Sequence, residues 1–267
     1  MVTIMRCSRI VFRACAFLPL LVVSGVAAQG GDADRRGLEI AQAADRANQG
    51  FGSERATLSM DLVNAHGDVS KRKVAIETLE GTSDGDRSRV IFEWPPDVKG
   101  TKLLTWTHKE REDDQWLYLP AIKRTRRISG SNKTGSFMGS ELAYEDLASA
   151  EVERFGYRYI DEPTLNGRAT FHIERSPRDP NSGYSREVVW LDKEYQNPLR
   201  IDFYDRKQAL LKTATFAGYR RFDRFWRPAS ITFENVQTKK KTILTFDNRQ
   251  LGAKLAAQNF DSARLED

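Results

Sequence analysis

The chain has 267 residues and carries 42 Lys and Arg against 37 Asp and Glu, a formal charge of +5. Three of the arginines, Arg6, Arg9 and Arg13, precede an apolar run over residues 14–23 and the small-residue site Val26-Ala27-Ala28, the three parts of a cleavable secretory signal. Cleavage after Ala28 leaves 39 basic and 37 acidic residues, a formal charge of +2, which excludes the balance of a nucleic-acid-binding protein.

The apolar run is too short to span a bilayer, and no later segment is longer. Cys7 and Cys15 both fall inside the signal, and neither follows the Leu-small-small pattern of a lipid-modified cysteine. The exported chain therefore has no disulfide, no thiol nucleophile and no cysteine-ligated metal. The expected organisation is a signal over residues 1–28 and a single domain over residues 29–267, long enough to bury a core.

In chain order, residues 34–48 read as a short helix with Asp34 as its N-cap, Ile40, Ala44 and Ala47 on one narrow face, and Gly50 and Gly52 ending it. Gly37 lies inside it and weakens it. Strands then dominate: 56–63 and 71–78 about the turn at His66-Gly67-Asp68, 87–94 ending at Pro95-Pro96, and 102–107. Residues 116–119 and 124–128 form a hairpin about Pro120-Ala121. Further strands follow at 152–160, 169–174, 186–191, 199–204, 210–216, 226–236 and 242–247, and the tail 251–267 reads as helical with a final strand. The short connections argue an antiparallel sheet rather than βαβ units.

Alternation assigns faces. Phe155, Tyr157 and Tyr159 form an aromatic row opposite Arg154, Gly156 and Arg158, whereas Trp116 and Tyr118 oppose Leu117 and Leu119, so the hairpin is apolar on both sides. A curved sheet with a cavity on one face and a covering on the other explains this, and so does a filled sandwich or small barrel; periodicity alone does not separate them. Residues 129–147 are rich in Gly and Ser yet carry Phe137, Met138, Leu142 and Tyr144, which predicts a lid over an apolar concavity.

The combination Trp116-Leu117-Tyr118-Leu119-Pro120, Arg126-Arg127-Ile128, Gly135-Ser136-Phe137-Met138-Gly139-Ser140 and Tyr144-Glu145-Asp146-Leu147 resembles the outer-membrane lipoprotein-sorting protein family, whose fold is related to the lipoprotein carriers LolA and LolB. The resemblance implies a mainly β domain: a LolA-like half-open antiparallel barrel of about eleven strands, closed by short helices and the lid, with a hydrophobic cavity. It also implies a periplasmic carrier of lipid or lipoprotein acyl chains, a monomer in transient membrane contact. An inner-membrane exporter of the RND/MMPL type is the implied partner.

Under that reading Trp106, Trp116, Tyr118, Phe155, Tyr157 and Tyr159 are the candidate cavity lining, Phe137, Met138, Leu142 and Tyr144 the lid, and Arg126 and Arg127 the contact for an anionic headgroup or a partner's acidic face. The alternative is a periplasmic sensor or adaptor that uses the fold to bind a membrane protein. An enzyme is not expected. The glycines of residues 130–136 lack the lysine and the strand-helix setting of a phosphate loop, and Ser136 is misplaced for a nucleophile elbow. His66, His108 and His172 share no metal spacing, so neither metal nor cofactor is expected. Glu141, Glu145 and Asp146 would suit a paired-acid mechanism only across a cleft; the plainer reading pairs them with Lys123, Arg124, Arg126 and Arg127 on the surface.

Overall fold

The computed structural model describes residues 26–266. Helix α1 runs Val26–Asn48 and so begins before Asp34, which is an interior residue and not a cap. The basic and apolar parts of the expected signal lie outside the described residues. The strands are β1 Ser53–Val63, β2 Val69–Leu79, β3 Arg87–Trp94, β4 Lys102–Trp106, β5 Asp114–Leu119, β6 Arg124–Ile128, β7 Phe155–Asp161, β8 Thr164–Leu165, β9 Arg168–Pro177, β10 Tyr184–Asp192, β11 Pro198–Asp205, β12 Leu210–Ala217, β13 Arg220–Phe222, β14 Phe225–Arg227, β15 Ser230–Asn235 and β16 Lys241–Leu251.

One antiparallel sheet of 14 strands contains all of these but β13 and β14, in the order β6-β5-β4-β3-β2-β1-β16-β15-β12-β11-β10-β9-β7, with β8 paired to β9. It is open, with β6 at one edge and β7 at the other. The 16 strands among the described residues exceed the expected eleven partly because the single strand expected over 226–236 is broken at Pro228, which cannot donate to a ladder; β14 leaves the large sheet and pairs with β13 in a separate two-stranded hairpin. The tail is neither helix nor strand but two short 3-10 turns, Ala257–Phe260 and Ser262–Arg264.

Both faces are covered. On what we term the inner face, Leu58, Met60, Val74, Phe92, Leu103 and Leu117 of the first five strands join Ile173, Val189, Ile201, Phe203, Ala214 and Phe233 of the later ones in a single cluster, to which α1 adds Ile40 and Ala44. On the outer face Leu104, Trp106, Trp116 and Tyr118 pack with Phe260 and Leu265 of the tail. The tail is latched there: Trp106 Nε1 donates to the Phe260 carbonyl at 2.8 Å, and Lys102 Nζ to that of Leu265 at 3.0 Å. Strands apolar on both sides are thus buried on both sides.

Gly37 has a packing reason. A Cβ there would stand 2.8 Å from the backbone of Arg158 and Tyr159, so α1 lies against edge strand β7 at a distance only glycine permits. In an unobstructed helix interior, Gly→Ala stabilises by about 0.5–1 kcal/mol. Gly37→Ala is expected to lower Tm instead, because α1 must lift from β7; a raised Tm in a thermal melt would show that the helix does not press on that strand.

Candidate functional site

Since β6 and β7 are the two edges, residues 129–154 must carry the chain from one to the other, and they do so across the inner face. Positive φ at Met138 (50°) and Gly139 (77°) folds the segment back on itself, and Phe137 N–H donates to the Leu142 carbonyl at 2.7 Å. The reversal drives Phe137 between Phe92 and Tyr144, each at 5.6 Å between ring centroids, where it is wholly buried. Leu142 is buried beside it, and Met138 and Tyr144 are half-buried against the same core. Over β1–β5 the crossover therefore fills the concavity.

Carboxylates pin it. Lys212, 3% exposed among the rings of Tyr184, Phe203 and Phe233, pairs with Asp146 and donates to the Glu141 carbonyl at 2.9 Å. Tyr184 Oη donates to Asp146 at 2.7 Å, and burial and the Asp146 charge hold that phenol well above its ordinary pKa. Glu145 accepts from Ser182 Oγ at 2.8 Å and Gly183 N–H at 2.9 Å, and Glu141 accepts from Asn235 Nδ2 at 2.8 Å. These three acids fasten the crossover to the later strands and do not answer the hairpin cations. Arg127 pairs with Asp114 instead, while Lys123, Arg124 and Arg126 stand exposed.

Past Leu147 the filling stops. A cavity of about 280 Å³ lies between the crossover and the later strands. Its floor is Ile201, Phe203, Ala214, Phe216, Ile231 and Phe233. A second, of about 180 Å³, runs beneath α1 between Ala41, Ala44, Tyr157, Ile173, Val189 and Leu191; Arg175 and Ile201 line both. Arg175 bridges to Glu187 at 2.6 Å and covers the Phe155 ring at 4.7 Å. Burial raises the Glu187 carboxyl and Arg175 opposes it; burial pulls Arg175 down but Glu187 more than restores it. A guanidinium keeps its proton, so the two stand as an ion pair in the apolar wall.

A more polar hollow of about 300 Å³ adjoins at Ser149 and Ala150, lined by Asp45, Glu80, Asp84, Asp86 and Glu151 with Lys109. Burial pushes Asp45 and Asp86 up, and burial together with Asp86 pushes Glu151 up to about 7. His108 sits between Asp84 at 2.5 Å and Asp114 at 3.2 Å, and its bond holds Asp84 well below the usual carboxylate range. Among the described residues no cluster of His, Cys, Asp and Glu could hold a metal.

Of the residues the sequence nominated, Phe155 lines the larger cavity and Tyr157 the smaller, and Tyr159 packs on the inner face beneath Arg36 at 4.7 Å. Trp106, Trp116 and Tyr118 are elsewhere. They point to the outer face, with the two indoles 4.9 Å apart under the tail. Where a hairpin is apolar on both sides, alternation does not say which side faces the cavity. The floor residues Ile201, Phe203, Ala214, Phe216, Ile231 and Phe233 went unnominated. One signal for this region was present: Arg175, Glu187 and Lys212 each fall in phase with inward apolar residues of their strands, and a charge in that phase marks a buried pair.

An open antiparallel sheet whose inner face is part filled by a crossover and part hollow beneath a helix defines the LolA-like fold class. A domain from Vibrio parahaemolyticus, whose name assigns it to outer-membrane lipoprotein sorting, is 44% identical, with a TM-score of 0.86 over 88% of this chain and 100% of that one. A DUF1329 family protein from Desulfovibrio piger is 30% identical, with a TM-score of 0.83 over 87% and 99%. A LolA superfamily protein from Nitrosomonas europaea shares the fold at 17% identity, with a TM-score of 0.66 over 84% and 97%. A family model described as "Uncharacterized protein" matches residues 84–267, and no curated relative matches. The chain belongs to the outer-membrane lipoprotein-sorting protein family.

Two outcomes test this site. Removing one member of a buried ion pair strands the other charge, so Lys212→Met is expected to cost about 3–5 kcal/mol in urea unfolding, and Lys212→Met with Asp146→Asn distinctly less. A double variant no better than the single would show that the pair is not what pins the crossover. Glu151 sets a pH dependence: with its folded pKa near 7, above that of a free glutamate, the fold binds the extra proton between the two values. Its contribution therefore falls as pH rises through that window, and the penalty is complete above pH 7. Glu151→Gln is expected to raise Tm at pH 8 and leave it nearly unchanged at pH 4; equal shifts at both would contradict the assignment.

Proposed function

We propose that this protein is a periplasmic carrier that takes an acyl chain of a lipid or lipoprotein into the inner-face cavity and moves it toward the outer membrane, without turnover. The observation that carries the reading is the unfilled hollow over Ile201, Phe203, Ala214, Phe216, Ile231 and Phe233, in a sheet whose other half is packed to exclusion. Burying a methylene is worth roughly 0.8 kcal/mol, so a dry floor of this kind offsets much of what an alkyl chain loses on leaving a bilayer. Phe155 supplies an aromatic wall of this hollow, and Tyr157 one of the smaller cavity beneath α1. Its volume lies at the lower end of small-molecule sites, so one chain rather than a whole lipid is the fitting guest.

The crossover is too firmly pinned to swing aside as a lid. Entry falls instead to the exposed residues Ser149 and Ala150, where the larger cavity, the smaller one or the acid-lined hollow meet. The secretory signal expected from the sequence supports the periplasmic placement, and an energised inner-membrane exporter of the RND/MMPL type is the partner that the family resemblance suggests for loading. A carrier need not outbind the membrane alone, since a partner can shift the balance.

Native mass spectrometry of protein purified from its own periplasm, followed by organic extraction, tests the reading. The expected result is a lipid adduct on the wild type. Ala214→Phe, which occupies the floor at an overpacking cost of about 1–3 kcal/mol, is expected to cut the adduct severely while the protein stays folded by circular dichroism. A wild type that carries no lipid and takes up none from fluorescent fatty acid would remove the carrier reading.

A further inference from the structure

The strand registers bring the turns 64–68, 95–101, 120–123, 205–209 and 236–240 to one end of the sheet. Five large apolar side chains stand exposed on the described residues, and three of them are here: Val69 (49%), Trp94 (47%) and Ile122 (50%). The turns and strand ends that carry them adjoin. Gly100 lies against Pro120, where an added Cβ would meet the proline ring at 3.6 Å, which joins the turn after Trp94 to the turn that holds Ile122. Val63 pairs with both Val69 and Lys241, which sets the 236–240 turn beside the 64–68 turn.

Charge on the same end is one-sided. Lys71, Lys73, Lys99, Lys123, Lys239 and Lys240 are exposed, and none makes an ion pair among the described residues. The exposed acids among them are Asp68, Glu93, Asp97 and Glu266, the last accepting from Thr125 Oγ1 at 2.9 Å. The other end of the sheet carries the acid-lined hollow of Glu80, Asp84, Asp86 and Glu151. The other end also carries the exposed Arg220, Arg221 and Arg224, so what sets the lysine end apart is that its cations surround Val69, Trp94 and Ile122. A single exposed apolar residue means little. An exposed Trp and two aliphatic side chains ringed by unpaired lysines have the composition of an interfacial anchor, with rings at headgroup depth and ammonium groups on phosphate.

We propose that this end of the sheet docks on an anionic phospholipid surface, with Trp94, Ile122 and Val69 inserted at headgroup depth and the unpaired lysines on lipid phosphates. A cleft bounded by Arg206, Lys207 and Tyr184 opens at this end and shares Tyr184 and Glu145 with the larger cavity. Docking therefore turns the Tyr184 side of the cavity toward the membrane and leaves the mouth at Ser149 and Ala150 on the far side. The surface stands apart from the carrier reading, since vesicle binding and lipid loading are separate measurements and either can fail alone.

The test is flotation of the protein purified from its own periplasm with protein-free vesicles, of phosphatidylcholine alone or of equal parts phosphatidylcholine and phosphatidylglycerol. Binding is expected to the mixed vesicles only, with release by high salt. Each lysine near an anionic surface is worth about fivefold in partitioning, so Lys239→Glu with Lys240→Glu is expected to weaken flotation at least ~20-fold. Brominated lipid is expected to quench wild-type fluorescence, and Trp94→Ala to abolish the quenching while Trp106, Trp116, Trp190 and Trp226 still report a folded protein. Equal flotation with uncharged vesicles, no flotation, unchanged partitioning of the charge-reversed variant, or attachment only to membranes that retain their proteins would each overturn the proposal.

Discussion

A charged ammonium lies in the middle of an apolar sheet face. Lys212 is ringed by Tyr184, Phe203 and Phe233, and such a group is tolerated only when a counter-charge is delivered to it. Asp146 is that counter-charge, and it arrives on a segment that started at the opposite edge of the sheet. The pairing fixes where the crossover lands. Its landing point fixes which half of the inner face Phe137 and Leu142 fill, and which half is left hollow.

The hollow is thus a consequence of length and anchoring rather than of weak packing. Up to Leu147 the crossover contributes Phe137, Met138, Leu142, Tyr144 and Leu147 to the core; after it come Ala148, Ser149 and Ala150, too small to fill the space over Ala214 and Ile231. Helix α1 covers the rest from its own side, held close to β7 by the missing side chain at Gly37. The Arg175–Glu187 pair satisfies itself within the wall, and Lys133 and Arg154 pair with Asp179, so most of the eight charged residues that line the cavity are answered there.

Much of this architecture is legible in the chain itself. The Pro and Gly punctuation places most strands within a few residues, and the phase of Phe155, Tyr157 and Tyr159 puts them on one face. Large apolar side chains on the Gly/Ser-rich segment signal that it covers something. The same reasoning misassigns Trp106, Trp116 and Tyr118, because their strands are apolar on both sides and the covering on the far side is a tail with little regular structure. It also takes Glu141, Glu145 and Asp146 for surface partners of nearby cations, whereas Lys212, Asn235 and Ser182 are remote in sequence.

What the sequence by itself determined is therefore the local alphabet: which segments extend, where they turn, which residues share a face, and that the sheet is antiparallel. These follow from neighbours within a few residues, where a period of two and the conformational limits of proline and glycine act. Which face is inside, which half is filled and which charges meet were decided only by the tertiary structure. Those depend on contacts between segments far apart in the chain, and a two-residue period labels two faces without naming either as the interior.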